Sequence, residues 1–300
     1  MFNRLVDELA VCGFNAVRAV ADVHPDTINR LFLTNERLPQ FTDICRILAE
    51  RKRPYKICES DELEKICKTS HHQGIVAMIC EPQPQPLGRD DLDEWSAGGH
   101  IGIVLHSVGN DHNLGAIVRS AAFFDTKYVV ISQWCKPALK PDLTQQYGKN
   151  APARILLGTT AALTHETAAE NAPETDYSRL TTASYRVAEG GFEYVQVRQV
   201  RRTAKFLKDA RDSLIIIGTD HRARLRIKDL SNIVGEKREA AAKKGKNVGI
   251  ALVVGNEENG LPDEIKDYCT ALLRIPGTGN IESLNVAQAA SLFLHEIYEM

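Results

Sequence analysis

No apolar run in the 300 residues approaches the roughly 20 needed to cross a bilayer, so no membrane span is expected. No C-x-x-C pair occurs among the seven cysteines, which are odd in number and scattered. That pattern excludes a disulfide framework or a cysteine zinc site and leaves buried, reduced thiols. The adjacent His71 and His72 do not suggest a shared metal, because neighbouring side chains on an extended segment point opposite ways. The start, Met1 to Glu8, carries acids where a leader would be basic and then apolar, so a cytoplasmic protein is expected. A phosphate-cradling P-loop is also missing.

Charge of one sign is lacking too. The net charge is −2, which gives no overall support for nucleic-acid binding. Local clusters are present, however: Arg198, Arg201, Arg202, Lys205, Lys208 and Arg211, then Arg222 to Lys228, then Lys237 to Lys246. Such clusters suit either a phosphate patch or ordinary solvated helix faces.

Hydrophobic spacing divides the chain. Residues 12–80 read as a small α/β unit, with a helix over Phe14 to Val23, a strand over Ile28 to Leu33 and a buried strand over Ile75 to Cys80. Ser60 is placed to cap a helix beginning Asp61-Glu62. Proline at 82, 84 and 86 predicts an extended linker, so we set an N-terminal domain at 1–81, a linker at 82–97 and a second domain at 98–300. In the second domain, strand Ile101 to Leu105, a helix Asn113 to Phe124 and strand Tyr128 to Ile131 form a βαβ unit and imply parallel pairing. Further strands at Ser213–Gly218, Gly249–Val254 and Ala271–Ile275 complete an α/β domain around a mostly parallel sheet. Residues 133–182 read as an insertion.

Ligands of open parallel sheets bind beyond the carboxyl ends of the strands. Three such ends carry unusual loops. The first runs Ser107 to Arg119, with Asn113 expected to cap the helix and Arg119 inside it. The second, Gly255-Asn256-Glu257-Glu258-Asn259-Gly260, brackets two carboxylates between glycines, and Pro262 begins the next helix. The third, Ile275-Pro276-Gly277-Thr278-Gly279, leads to a helix expected to begin at Ser283. This last loop fails as a dinucleotide fingerprint: Glu282 occupies the third glycine position, and no further strand or ribose-binding acid follows. What remains is a nucleoside-sized pocket built largely of backbone.

These loops, as Asn113-x-Gly115-x-x-x-Arg119, Gly255-x-Glu257-x-x-Gly260-Leu261 and Ile275-Pro276 leading to Ser283-Leu284-Asn285-Val286-Ala287, together resemble the SpoU/TrmH family of the SPOUT superfamily. The turn Ala188-Glu189-Gly190-Gly191-Phe192-Glu193, with His71-His72-x-Gly74 upstream, is similar to the YfiF-like branch. Residues 12–80 look like the family's ribosomal-protein-like substrate-binding domain. The resemblance implies a SPOUT α/β trefoil-knot domain, a homodimer with sites at the interface, and transfer of a methyl group from S-adenosylmethionine to a ribose 2′-hydroxyl of tRNA or rRNA. It implies donor contacts at Thr219, Gly255, Ile275 and Leu284, and catalytic or ordering roles for Asn113, Arg119, Glu257, Ser283 and Asn285. Departures are Asp111 for a frequent proline, Asp125 for a glycine and Gly277 for a methionine. The alternative is a non-catalytic RNA-binding protein that keeps the fold. Retention of Arg119, Glu257 and Asn285 argues against it.

Overall fold

The computed structural model describes residues 8–132, 180–256 and 259–300. An N-terminal four-stranded sheet contains β1 (Glu8–Cys12), β2 (Ile28–Leu33), β3 (Tyr55–Ile57) and β4 (Ile75–Cys80), ordered β1-β4-β2-β3. Strand β4 is the central apolar run expected from its sequence. It is antiparallel to both neighbours, while β3 runs parallel to β2. The helix Phe14–Val23 turns Ala16, Val17 and Val20 inward, the spacing of a one-sided apolar stripe. The third helix spans Ser60–Cys67, and Ser60 does not cap it: Glu59 holds the N-cap position and makes no side-chain capping bond.

The second sheet contains β5 (Gln85–Pro86), β6 (Ile101–Leu105), β7 (Tyr128–Ser132), β8 (Gln196–Val200), β9 (Leu214–Thr219), β10 (Leu225–Arg226), β11 (Gly249–Val254) and β12 (Ala271–Arg274). Their order is β10-β12-β9-β11-β6-β7-β8-β5, and every described pairing is parallel. Strand β11 is inserted between β6 and β9, both of which precede it in the chain. It is buried along its whole length, as an unbroken apolar run covered on both faces should be.

Residues 82–97 differ from the linker expectation. Gln85–Pro86 adds an edge strand to the second sheet, and Arg89–Ala97 is a helix. The physical reason is Trp95. Its indole is fully buried, stacks on Tyr128 at 4.9 Å and donates to the backbone carbonyls of His100 and Ile250. A Cβ added at Gly102 would lie 2.1 Å from that ring, so the strand beneath it must carry glycine there. The proline spacing spoke for extension only as far as Pro86.

Of the segment read as an insertion, residues 133–179 lie outside the described residues. Thr182–Ala188 is a helix capped by Thr181, whose hydroxyl also donates to Asp111 at 2.8 Å. Among the described residues, no helix is long and apolar enough to cross a membrane, and no group of three His, Cys, Asp or Glu side chains could hold a metal ion.

Candidate active site

The carboxyl ends of β9, β11 and β12 open into one cavity of about 280 Å³. Thr219 ends β9, Gly255 follows β11, and Ile275 follows β12. Leu284 closes the cavity from the loop before the last helix, with Ser283 beside it. All four residues expected to touch the donor therefore share this one space. One wall is apolar, formed by Leu261, Leu273, Leu284, Val286 and Phe293. The mouth is charged, with Asp220, His221, Arg222, Lys266 and Glu282.

The second loop is closed by backbone. Asn256 and Gly260 form a β-bridge, and a Cβ on Gly255 would meet the Gly260 carbonyl carbon at 2.4 Å. The Asn256 side chain donates to the Ser107 carbonyl at 3.0 Å, tying this loop to the end of β6. Glu257 lies outside the described residues.

Asp220 and Lys266 carry no motif and were not expected. Burial would raise the Asp220 carboxyl, but Lys266 Nζ at 2.8 Å and the Arg222 backbone N–H hold it below the ordinary carboxylate range. Asp220 directly follows Thr219 at a strand end, a position that could have drawn notice. Lys266 gave no sequence signal. His221 lies 3.1 Å from Glu282 across the mouth.

A second group forms where two helices meet. The helix with the first motif spans Asp111–Phe123, and its cap is Asn110 rather than Asn113: Asn110 Oδ1 accepts from the backbone N–H groups of His112 and Asn113. Asn113 instead lies inside the first turn, where its Oδ1 accepts from Asn285 Nδ2 at 3.0 Å. Asn285, not Ser283, caps the last helix, Val286–Tyr298, by accepting from the Ala287 N–H. The two asparagines thus lock the starts of both helices together, and Ser120 and Ser291 join them again at 2.7 Å.

Arg119 stands apart from both groups. It is six residues beyond Asn113, about 9 Å along the helix axis. Its side chain is 58% exposed and pairs with Glu189 at 3.2 Å. It lines a different cavity, of about 330 Å³, between the two sheets' domains. Cys12, Asn15, His71, Gln73, Arg186 and Glu189 line it as well. Burial and the neighbouring Cys67 push the Cys12 thiol up to about 12, so it is no nucleophile at neutral pH.

The basic clusters are dispersed among several duties. Arg198 pairs with Asp91 at 3.0 Å, Arg202 with Glu264 at 3.8 Å, and Arg222 faces the donor-sized cavity.

Comparison with known proteins agrees with this geometry. A model of the SpoU rRNA methylase family matches residues 157–295, and a model of the RNA 2′-O ribose methyltransferase substrate-binding domain matches residues 10–85. The methylase match begins after Asn113 and Arg119. The chain is 26% identical over 293 residues to an uncharacterized tRNA/rRNA methyltransferase, YfiF, of Escherichia coli O157:H7, covering 97% of this chain and 68% of that protein. It is 26% identical over 291 residues to the 23S rRNA (guanosine-2′-O-)-methyltransferase RlmB of Acinetobacter baylyi, covering 95% and 94%. The AdoMet-bound rRNA methyltransferase of Sinorhizobium meliloti superposes with a TM-score of 0.63 at 17% identity, covering 98% of this chain and 87% of that one. The SpoU methyltransferase AviRb of Streptomyces viridochromogenes, also holding AdoMet, gives 0.60 at 16%, covering 98% and 90%. With a substrate-binding match at its N-terminal sheet and a methylase match over the strands that build the cavity, this chain is similar to the SpoU rRNA methylase family in both of its parts.

Proposed function

We propose that this chain is an RNA methyltransferase that moves a methyl group from S-adenosylmethionine to a ribose 2′-hydroxyl of tRNA or rRNA. The observation that carries the reading is the convergence of Thr219, Gly255, Ile275 and Leu284 on one cavity at three adjacent strand ends. The residues fit the donor: an apolar wall suits a flat adenine ring, and the charged mouth suits an amino-acid moiety. When bound, S-adenosylmethionine supplies an electrophilic methyl group.

The chain's own residues do the rest. A guanidinium is a poor candidate for a general base in any protein, so Arg119 is given a different role. It clamps the phosphate next to the target ribose and stabilises negative charge developing on the attacking oxygen, while the proton leaves to phosphate or water. Asn113 and Asn285 fix the two helix starts that frame this chemistry. Ser283 orders the donor cavity, and Glu257 is assigned to the same cleft on family pattern.

A homodimer completes the reading. Arg119 does not line the donor cavity of its own chain, and a partner would bring one donor cavity to the other chain's Arg119. Phe123, 79% exposed, continues through Phe124 to Tyr298 as an uncovered aromatic face on the two helices that Asn113 and Asn285 join. The trefoil knot belongs to the same proposal, supported by the entry of β11 between two strands laid down before it. A cytoplasmic site of action, where such RNA is found, is also part of it.

Calorimetric titration with S-adenosylmethionine tests the donor assignment. The wild-type protein is expected to bind in the micromolar range, and Leu284→Trp, which fills the cavity, to abolish binding while the fold persists. Absence of binding by folded wild-type protein would move the reading to an RNA-binding protein without the reaction.

A further inference from the structure

Between the N-terminal domain and the methylase domain lies the cleft of about 330 Å³. Its volume falls within the roughly 300–1,000 Å³ of small-ligand sites. We propose that this cleft holds one phosphodiester of the RNA strand between Arg119 and Arg186, and that Glu189 occupies Arg119 until the RNA arrives. The proposal rests on the RNA-methyltransferase reading and deepens it. It adds Arg186 as a phosphate ligand, the N-terminal domain as one wall of the site, and an internal anion that must be exchanged.

Charge is the first argument. The side chains lining the cleft include two guanidinium groups, Arg119 and Arg186, and one carboxylate, Glu189. His71 and the Asn15 and Gln73 amides line it too, while Cys12 stays a neutral thiol. The fixed charges leave a positive remainder that a single anionic group would balance. A phosphodiester is such a group, and its flanking sugars need only the neutral donors present.

Rigidity is the second. Glu189 ends the helix Thr182–Ala188 in the left-handed region, at φ 45°, and Gly190 follows at φ 94°. A Cβ on Gly190 would meet the Ala19 Cβ at 2.6 Å, and one on Gly191 would meet the Arg119 Cα at 3.2 Å. The turn is therefore wedged between the N-terminal helix and the helix that carries Arg119. Beyond it, His24 Nδ1 and Glu193 Oε2 lie 2.5 Å apart and fasten the same two domains. The cleft walls are held in place before any RNA binds, which lowers the ordering cost of binding.

Exchange is the third. Glu189 splits its carboxylate, one oxygen on Arg119 Nη1 at 3.2 Å and the other accepting from Asn15 Nδ2 at 3.1 Å. An ion pair so exposed is weakly held. A guanidinium takes a phosphate through two parallel N–H bonds, so the incoming strand competes well for Arg119. Glu189 keeps its bond to Asn15 after the exchange and so stays out of the strand's way.

The test is binding of a fluorescein-labelled single-stranded RNA oligonucleotide, followed by anisotropy across a salt series, with donor affinity measured in parallel. Arg186→Gln is expected to weaken RNA binding about 5- to 20-fold and to lower the salt slope by about 0.7, the share of one single-strand phosphate contact, with donor affinity unchanged. Arg186→Lys should keep the slope. Glu189→Gln, which retains an acceptor but frees the Arg119 charge, should tighten RNA binding several-fold. An unchanged slope in Arg186→Gln, or weaker binding in Glu189→Gln, would overturn the proposal. Loss of methyl transfer by the wild-type protein with these binding results intact would instead count against the enzymatic reading alone.

Discussion

At the scale of single residues, the chemistry-bearing positions divide into those with a motif and those without. Thr219, Gly255, Ile275 and Leu284 were expected from the family resemblance; the structure brings them to one cavity, and their contact with the donor is part of the proposal. Asp220, Lys266, Arg186 and Glu189 acquire their meaning from contacts between distant segments, and spacing cannot report those. Lys266 shows what such a contact does. With Lys266 beside it, the folded Asp220 carboxyl lies below its ordinary value of 3.8. A lowered carboxylate contributes stability above that ordinary value, and the contribution is lost as pH falls through the lowered one. Lys266→Ala is therefore expected to cost about 1–2 kcal/mol near neutral pH. In urea titrations at several pH values, the gap to wild type should close in acid; a gap constant down to acid pH would contradict the pairing. Arg119→Lys tests the clamp separately. It keeps the charge and loses the planar fork, so turnover should fall on the order of 100-fold with donor affinity intact. Near-normal turnover would argue against bidentate phosphate binding.

At the scale of elements, apolar periodicity placed the helix Phe14–Val23 and the strands Ile28–Leu33 and Gly249–Val254 at their observed bounds. Caps were harder, because several candidate residues compete at each helix start. Asn110, Asn113, Ser283 and Asn285 are all good caps by type, and only the backbone geometry selects Asn110 and Asn285. The displaced Asn113 is freed to bond Asn285, so the missed cap and the found contact have one cause. Gly115 has a packing role on the same helix. A Cβ there would lie 2.5 Å from the Ser184 backbone oxygen, within the tightly apposed Thr182–Ala188 helix. Gly115→Ala should destabilise by about 1–3 kcal/mol through overpacking, despite the better helix propensity of alanine. Denaturant unfolding within about 0.5 kcal/mol of wild type would show that the two helices separate at little cost.

At the scale of the whole molecule, alternation of strands and helices was enough to expect a parallel α/β domain after a smaller α/β unit. The strand order was not legible: nothing in the local sequence says that β11 enters between β6 and β9. Nor was the seating of the two domains, which depends on the Glu189 to Glu193 turn touching both. That arrangement puts the donor-sized cavity at one set of strand ends and Arg119 in the interdomain cleft, so RNA can meet both domains at once. The central claim is methyl transfer to a ribose hydroxyl. Its most direct test is incubation of the full chain with S-adenosylmethionine carrying a labelled methyl group and with unmodified tRNA and rRNA, followed by complete digestion to nucleosides. The account predicts label in a 2′-O-methylated nucleoside from one of the two RNAs. Label on a base, or none in either RNA from protein that binds the donor, would contradict it.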